Sequence, residues 1–349
     1  MREKIAVFLL LFLLIGCSNG LQTNTTTTIY ELPSSDSKEL IIVPGNTPIN
    51  LSFRVYNWCR VTYQNITGYV DCSSLDLPPQ EIGILSGKTV IVDAGHGGND
   101  NGAIVNNIKE KDINRKVADY LIEYLLANGA NVIETRKDDE TLYLYDRPTI
   151  ANLVVVIENY IRTTNPDKKD ALSAILLDLE AILADDVDVI PYLYRKGDGM
   201  NEELQEIFEL TNQINDVVFV SIHSNVTGSE EISLQGLDII LTGNTVSNEY
   251  PGYDLYDDEE RLLFGTIIGE NISSEVNIVL RRVYFGDYAV LREENLPSTL
   301  IELGYMDNAE DLERLTTTSS QKAYARGIEK GIINYFNEIN NTINNTINN

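Results

Sequence analysis

The sequence predicts an α/β protein with a mostly parallel central sheet and helices on both faces. From residue 88 onward, short apolar runs typical of buried strands alternate with longer amphipathic segments. In the amphipathic segment Lys111–Ala127, four apolar residues recur at helical spacing: Ile113, Val117, Leu121 and Leu125. Helices of this length between strands are typical of right-handed crossovers in a parallel sheet. In such sheets the reactive groups gather beyond the carboxyl ends of the strands.

Six strands and two long helices define this predicted domain, which we place at residues 88–338. The helices are Lys111–Ala127 and Gln321–Phe336, and an Asn-rich tail follows at residues 339–349. The strands are short aliphatic runs, namely Thr89–Asp93, Asn131–Thr135, Val217–Ile222, Leu237–Leu241, Tyr288–Leu291 and Ser298–Leu303.

Composition excludes several classes of protein. The chain has 349 residues, 43% of them hydrophobic, which is enough to form more than one domain. It carries 53 acidic and 26 basic residues, a formal net charge of −27, so we expect no nucleic-acid partner and no charge-driven docking on anionic lipid. No apolar run reaches the roughly 20 residues that span a bilayer, which excludes a polytopic membrane protein.

The N-terminus has the pattern of an export signal followed by a tether. Two basic residues precede the apolar run Ile5–Ile15, which has the length of a signal-peptide core. The run leads into Leu-Ile-Gly-Cys, which resembles the bacterial lipobox, so we expect removal of residues 1–16 and lipidation of Cys17. An ordinary secretory signal is the alternative. The lipobox predicts an exported lipoprotein, anchored to a membrane through Cys17 and facing the cell envelope or periplasm, with residues 17–28 as a lipidated tether.

The other two cysteines are predicted to form a disulfide, because an exported protein folds where thiols oxidise. Residues 58–72 alternate in polarity like two strands of a hairpin. With a turn at residues 64–67, Cys59 lies directly opposite Cys72 and within disulfide reach. Two small buried thiols are the alternative.

Residues 29–80 are predicted to form a separate small β domain. Strand-like stretches at Glu39–Val43 and Ile49–Tyr56 precede the hairpin. Trp58, followed by Thr67–Val70, resembles the bacterial SH3-like module, a small β-barrel often attached to cell-wall hydrolases. The resemblance implies binding of wall peptide or glycan, and a spacer barrel without a ligand is the alternative.

The chain has two histidines, and each follows a predicted buried strand. His96 lies among glycines, which allow a tight backbone bend and close approach of a large ligand. His223 lies at the end of the run Val217–Ile222. Neutral imidazole is the commonest zinc ligand, so together the two histidines favour a Zn²⁺ site. Such a site needs a third protein ligand, and catalysis needs a fourth position open to water.

Five sequence blocks occur in order over residues 88–338. They are Ile91–Ala103, Glu110–Asn114, Glu134–Arg136 with Asp146–Arg147, Ser221–Asn225 and Leu300–Asn308. Together these blocks resemble the zinc-dependent N-acetylmuramoyl-L-alanine amidases. The resemblance implies a hydrolase of peptidoglycan, cleaving the amide between the lactyl group of N-acetylmuramic acid and the L-alanine of the stem peptide.

The same resemblance implies the roles of the site residues. The Zn²⁺ ligands are His96, Glu110 and His223. Glu302 falls on the catalytic glutamate, which takes a proton from the attacking water and passes it to the departing nitrogen of L-alanine. For Glu110 the alternative is a capping box at a helix start, since Asn107 lies three residues before it. For Glu302 the alternative is a half-buried carboxylate in a salt bridge.

Two further residues are weaker candidates for substrate binding. Asn225 lies two residues beyond His223 and is expected to orient the substrate. Arg292 is expected to face a carboxylate of the stem peptide. Surface roles are the alternative for both.

Two rival functions stay open on the sequence alone. The first is a catalytically silent peptidoglycan-binding lipoprotein, which predicts the loss of a zinc ligand or of Glu302, whereas all four residues are present. The second is a zinc peptidase that cuts within the stem peptide.

Residues 153–213 are expected to be a helical insertion, because the family usually connects the preceding helix quickly to the strand before His223. Apolar spacing predicts helices at residues 167–184 and 202–213. We expect the loop between them, with Tyr192, Tyr194 and Arg195, to border the substrate groove. A helical hairpin that only thickens the domain, or that meets an activator or regulator protein, is the alternative.

Overall fold

The structure is a computed structural model, and it describes residues 21–184, 193–194, 199–228, 234–247 and 251–347. The signal peptide and the lipidated Cys17 lie outside the described residues, so both stay predictions. Within the described ranges, no helix is both long and apolar enough to cross a membrane.

The N-terminal part forms a five-stranded antiparallel sheet in the order β2-β1-β5-β4-β3. Its outer strands are β2 and β3, and closure into an SH3-like barrel stays a prediction. Residues 21–28, which were expected to belong to the tether, are in contact with this sheet: Thr23 is fully buried and forms an isolated bridge with Leu75, and Thr27 and Thr28 begin β1. The strands are β1 (Thr27–Tyr30), β2 (Glu39–Val43), β3 (Asn50–Val55), β4 (Trp58–Tyr63) and β5 (Ile66–Asp71).

The predicted disulfide between Cys59 and Cys72 is present, with a Cα–Cα distance of 5.2 Å. The predicted hairpin register is wrong, since Cys59 pairs with Val70 and Cys72 lies beyond the end of β5. The reason is a tight two-residue turn at Gln64 and Asn65, both in the left-handed region, in place of a four-residue turn. The bond therefore runs diagonally and ties the end of β5 to β4.

Removing this disulfide is expected to lower the free energy of unfolding by about 3 kcal/mol, because the bond closes a short loop and so limits the unfolded chain. The double variant C59S/C72S should show this loss in denaturant titrations, with reduced wild-type protein as the matched comparison. Alkylation of both cysteines in nonreduced exported protein would contradict the assignment.

The C-terminal part contains a six-stranded mixed sheet in the order β12-β11-β13-β10-β6-β9. Its elements, together with a small hairpin (β7 and β8), are β6 (Thr89–Ala94), β7 (Ile104–Val105), β8 (Ile108–Lys109), α1 (Glu110–Ala127), β9 (Asn131–Glu134), α2 (Asp146–Arg162), α3 (Pro166–Leu183), α4 (Glu202–Thr211), β10 (Val217–Asn225), β11 (Leu237–Leu241), α5 (Asn244–Ser247), α6 (Asp258–Val276), β12 (Leu280–Phe285), α7 (Ala289–Arg292), β13 (Ser298–Tyr305), α8 (Ala309–Thr316) and α9 (Thr318–Ile347).

The mostly parallel sheet of the prediction is confirmed. Strands β13, β10, β6 and β9 are parallel to one another, whereas β11 runs antiparallel to β13 and carries β12 beside it. Strand side chains alternate between two apolar clusters: Ile91 packs with α2, α3 and α4 on one face, and Val90 packs with α1, α6 and α9 on the other. Helices therefore cover both faces, as expected.

The strand predicted at Tyr288–Leu291 is wrong, because this run lies mostly in the short helix α7. A short apolar run does not distinguish a buried strand from a buried helical turn. The true strand is β12, whose pattern is obscured by Arg281 and Arg282, which both pair with the buried Asp238 of β11. The Asn-rich segment expected as a tail continues α9 as far as Ile347.

The N-terminal sheet packs against α2 and α3. Phe53, Val55 and Tyr69 belong to the same apolar cluster as the helices. Arg60 of β4 forms an ion pair of 2.6 Å with Glu180 of α3, and the Tyr69 hydroxyl donates a hydrogen bond to the same carboxylate. A face of α3 in the expected insertion therefore holds the N-terminal sheet.

Candidate active site

The candidate site lies at the carboxyl ends of the parallel strands β6, β10 and β13. His223 lies near the end of β10, and the register places it beside Glu302 of β13. His96 follows β6, the strand on the other side of β10. Adjacent parallel strands thus bring together residues that lie more than 200 positions apart in the chain.

Glu110 joins the two histidines from the first position of α1. Its Oε1 lies 3.0 Å from His223 Nδ1, and its Oε2 lies 3.1 Å from His96 Nε2. One potential ligand atom from each of the three residues lies within 4.8 Å of the others. Two imidazole nitrogens and a carboxylate oxygen in this arrangement fit a zinc ion, because this is a common donor set of catalytic zinc sites.

The alternative of a capping box at Glu110 is wrong. Asn107 lies in a left-handed turn between β7 and β8, and the residue that precedes the helix as its N-cap is Lys109. The Glu110 carboxylate instead accepts hydrogen bonds from the backbone N–H groups of Ala103 (2.9 Å) and Ser224 (3.1 Å). These bonds fix the carboxylate between the two imidazoles.

Two glycines permit this close packing. A Cβ atom at Gly95 would lie 2.3 Å from the imidazole of His223, and one at Gly102 would lie 2.5 Å from Oε2 of Glu110. Neither distance is compatible with a side chain, so the ligand cluster requires glycine at both positions.

A buried polar network supports the turn that carries His96. His96 has a left-handed φ of 62°, and its backbone carbonyl accepts a 2.8 Å hydrogen bond from Arg147. Arg147 also pairs with the fully buried Asp93, and His96 Nδ1 lies 2.8 Å from Asp100. Sequence reasoning assigned no role to Asp93, Asp100 or Arg147, although all three belong to the motif blocks.

The electrostatics keep Glu110 ionised. Burial acts to raise the pKa of Glu110, but its hydrogen bonds with His223 and His96 outweigh burial and hold the pKa well below its usual value. An anionic oxygen pair between two imidazoles is a favourable environment for a cation.

The environment of Glu302 favours the protonated form of its carboxyl group, in contrast to that of Glu110. Its Oε2 is buried and has no hydrogen-bond partner among the described residues, and burial raises its pKa to about 7. The salt bridge considered for Glu302 is not observed in the described part of the chain, where Arg281 and Arg282 pair with Asp238 instead. A carboxyl group of this kind can hold or release a proton near neutral pH.

These groups line a cavity of about 500 Å³. Five of the predicted site residues line it together, namely His96, Glu110, His223, Glu302 and Asn225. A larger cleft of about 960 Å³ at another part of the molecule is lined by acidic, amide, hydroxyl and aliphatic residues together with Tyr256 and Arg261, but by no histidine. We therefore assign the chemistry to the smaller cavity.

Arg292 does not line this cavity. It is 3% exposed, and its guanidinium pairs with Glu293 at 2.8 Å and with Asp287. The expected contact with a substrate carboxylate is therefore replaced by ion pairs with the residues that flank α7.

Tyr194 also differs from its expected place at the substrate groove. It is 4% exposed, its hydroxyl lies 2.8 Å from that of Thr149, and its ring stacks on Tyr145. Tyr192 and Arg195 lie outside the described residues. Tyr194 thus packs into the core against α2 and is not among the residues that line the cavity.

The family model described as "N-acetylmuramoyl-L-alanine amidase" matches residues 90–155 and 161–334. The chain is 27% identical over 254 residues to the germination-specific N-acetylmuramoyl-L-alanine amidase of Bacillus subtilis, covering 73% of this chain and 82% of that one. It is 23% identical over 313 residues to an uncharacterized cell wall amidase of Bacillus anthracis, covering 90% of this chain and 47% of that one.

The chain is also similar to a solved structure of an N-acetylmuramoyl-L-alanine amidase from Clostridium difficile. It is 21% identical, with a TM-score of 0.48, and the similarity covers 74% of this chain and 98% of that one. The second segment of the family match, residues 161–334, contains both α3 and α4, the helices that we expected as an addition.

Proposed function

The chain belongs to the N-acetylmuramoyl-L-alanine amidase family, and on this premise we propose that it is a zinc-dependent peptidoglycan hydrolase. The bond cleaved is the amide between the lactyl group of N-acetylmuramic acid and the L-alanine of the stem peptide. The observation that carries this proposal is the convergence of His96, Glu110 and His223 within 4.8 Å, in one cavity with Glu302, whose buried Oε2 has no hydrogen-bond partner among the described residues.

His96, Glu110 and His223 would hold the zinc ion. When bound, the ion supplies a Lewis acid for the amide carbonyl and makes water a nucleophile near neutral pH. Asp100 orients the imidazole of His96 through the 2.8 Å contact to Nδ1, and the backbone N–H groups of Ala103 and Ser224 orient the carboxylate of Glu110. The protein thus fixes the donor atoms before the ion binds.

Glu302 would carry the proton. Its carboxylate accepts a proton from the attacking water and donates it to the nitrogen of L-alanine, because an amine leaves only after protonation. Its burial supports this role, since a partly desolvated carboxyl group with a raised pKa exchanges protons near neutral pH. Asn225, at the cavity wall, would orient the substrate through its side-chain amide.

The N-terminal region would direct the protein, and with it the catalytic cavity, to the cell envelope. We propose export, a lipid anchor on Cys17 and an SH3-like role for the N-terminal sheet. The long match with the cell wall amidase of Bacillus anthracis supports a shared N-terminal region, because a match of 313 residues includes most of this sheet. The sheet packs on α2 and α3, which fixes the position of the N-terminal sheet relative to the catalytic domain.

The products of wall digestion test the proposed bond. Purified protein incubated with peptidoglycan should release intact stem peptides with a free N-terminal L-alanine, detected by mass spectrometry. A zinc peptidase acting within the stem would release truncated peptides, and a silent wall-binding protein would release none. Either result would contradict the proposed function.

A further inference from the structure

One aromatic residue at the catalytic cavity has no role in the chemistry described above. Tyr288 lines the same cavity as Glu302 and the three proposed ligands, and it is 39% exposed. Apart from the two histidines, it is the only aromatic residue among the described residues that line the cavity. An exposed ring beside a reactive centre is available to contact the substrate.

The ring of Tyr288 is held in place on one side. A Cβ atom at Gly286 would lie 2.9 Å from the ring, so the ring packs closely against the backbone there. Tyr288 also caps α7, where its carbonyl accepts a 2.8 Å hydrogen bond from the N–H of Arg292. The ion pairs of the buried Arg292 with Asp287 and Glu293 fix this segment. The cavity therefore has one aromatic side chain, and α7 holds the backbone that carries it.

The rest of the apolar lining is aliphatic and includes Leu142, Leu144, Val226 and Val290. Aliphatic side chains suffice to contact the methyl groups of alanine. A pyranose ring is bound better by an aromatic side chain, because the C–H groups on one face of the sugar pack against the flat face of the aromatic ring. In the proposed substrate, the sugar is connected to the scissile amide through the lactyl group, so a cavity of about 500 Å³ brings both within reach of one site.

We propose that Tyr288 determines specificity by stacking on the pyranose ring of N-acetylmuramic acid. The inference rests on the proposed function and deepens it. It assigns the sugar side of the substrate to the wall formed by Gly286, Tyr288 and α7.

Binding to an inactive protein tests this inference separately from turnover. In the zinc-loaded E302Q background, calorimetry would compare a muramoyl tripeptide with the matching lactoyl tripeptide, which keeps the amide and lacks the pyranose. Y288A should lower the preference for the muramoyl ligand by about tenfold, the loss expected for one aromatic contact. Y288F should retain the preference, because it keeps the ring.

Two further variants make the outcome decisive. Y288L keeps an apolar side chain without a flat ring and should lose the preference as Y288A does. Y143A removes an exposed aromatic residue that does not line the cavity, and it should leave the preference unchanged. An equal loss for both ligands in Y288A, or full recovery in Y288L, would overturn the inference. If the wild-type protein bound the ligands but cleaved no amide, the proposed function would fail independently.

Discussion

Replacing Glu302 with glutamine is expected to reduce peptidoglycan hydrolysis by about a thousandfold while zinc remains bound. Glutamine preserves the shape of the side chain but cannot accept a proton from water. Glu302 is not one of the three residues that converge on the metal position, so its replacement leaves the donor set intact. Release of stem peptides measures the loss, and elemental analysis of the same preparation measures the zinc.

The matched control for E302Q is E313Q, which makes the same change at an exposed position on α8. It should retain wild-type activity and zinc content. Near-normal turnover in E302Q would show that another group carries the proton. Loss of zinc in E302Q would instead assign Glu302 to the metal site.

Replacing Glu110 with glutamine is expected to remove both zinc and activity. The wild-type protein should hold one zinc ion per chain, whereas E110Q loses the anionic ligand between His96 and His223 and presents an amide group there. Changes even to residues that only support zinc ligands typically cost tenfold to about a hundredfold in metal affinity, so loss of a ligand itself should exceed this. Zinc titration monitored by calorimetry would give the affinity.

The variant D112N is the control for E110Q, because Asp112 is an exposed carboxylate in the same helical turn. It should bind zinc as the wild-type protein does. Full zinc content and normal activity in E110Q would show that the cluster is not the metal site.

Much of the site was predictable from the sequence because strand ends converge. His96 and His223 each follow an apolar run, and parallel strands place such residues at one edge of the sheet. The position of Glu110 could not be predicted in this way. It depends on the short β7–β8 hairpin and on hydrogen bonds from the backbone N–H groups of Ala103 and Ser224, and neither feature produces a hydrophobic periodicity in the sequence. Only the resemblance to the amidase family predicted a role for Glu110 as a metal ligand.

The failures of prediction have local physical causes. Arg292 was expected to bind a substrate carboxylate because it is a basic residue. In the structure its guanidinium is buried and forms ion pairs with Asp287 and Glu293 instead. The hairpin register failed because residues 64–65 adopt left-handed conformations that shorten the turn. Tyr194 was placed at the groove from topology alone, whereas its hydroxyl finds buried partners on α2. In each case, specific polar contacts or backbone geometry decided the outcome.

The most direct test of the account is to digest peptidoglycan in water labelled with oxygen-18 and to locate the label by mass spectrometry. Hydrolysis of the proposed amide inserts one labelled oxygen into the lactyl carboxylate of N-acetylmuramic acid and none into the released stem peptide. E302Q protein should form these products about a thousandfold more slowly. Label in a carboxylate of the stem peptide, with the lactyl amide intact, would contradict the central claim.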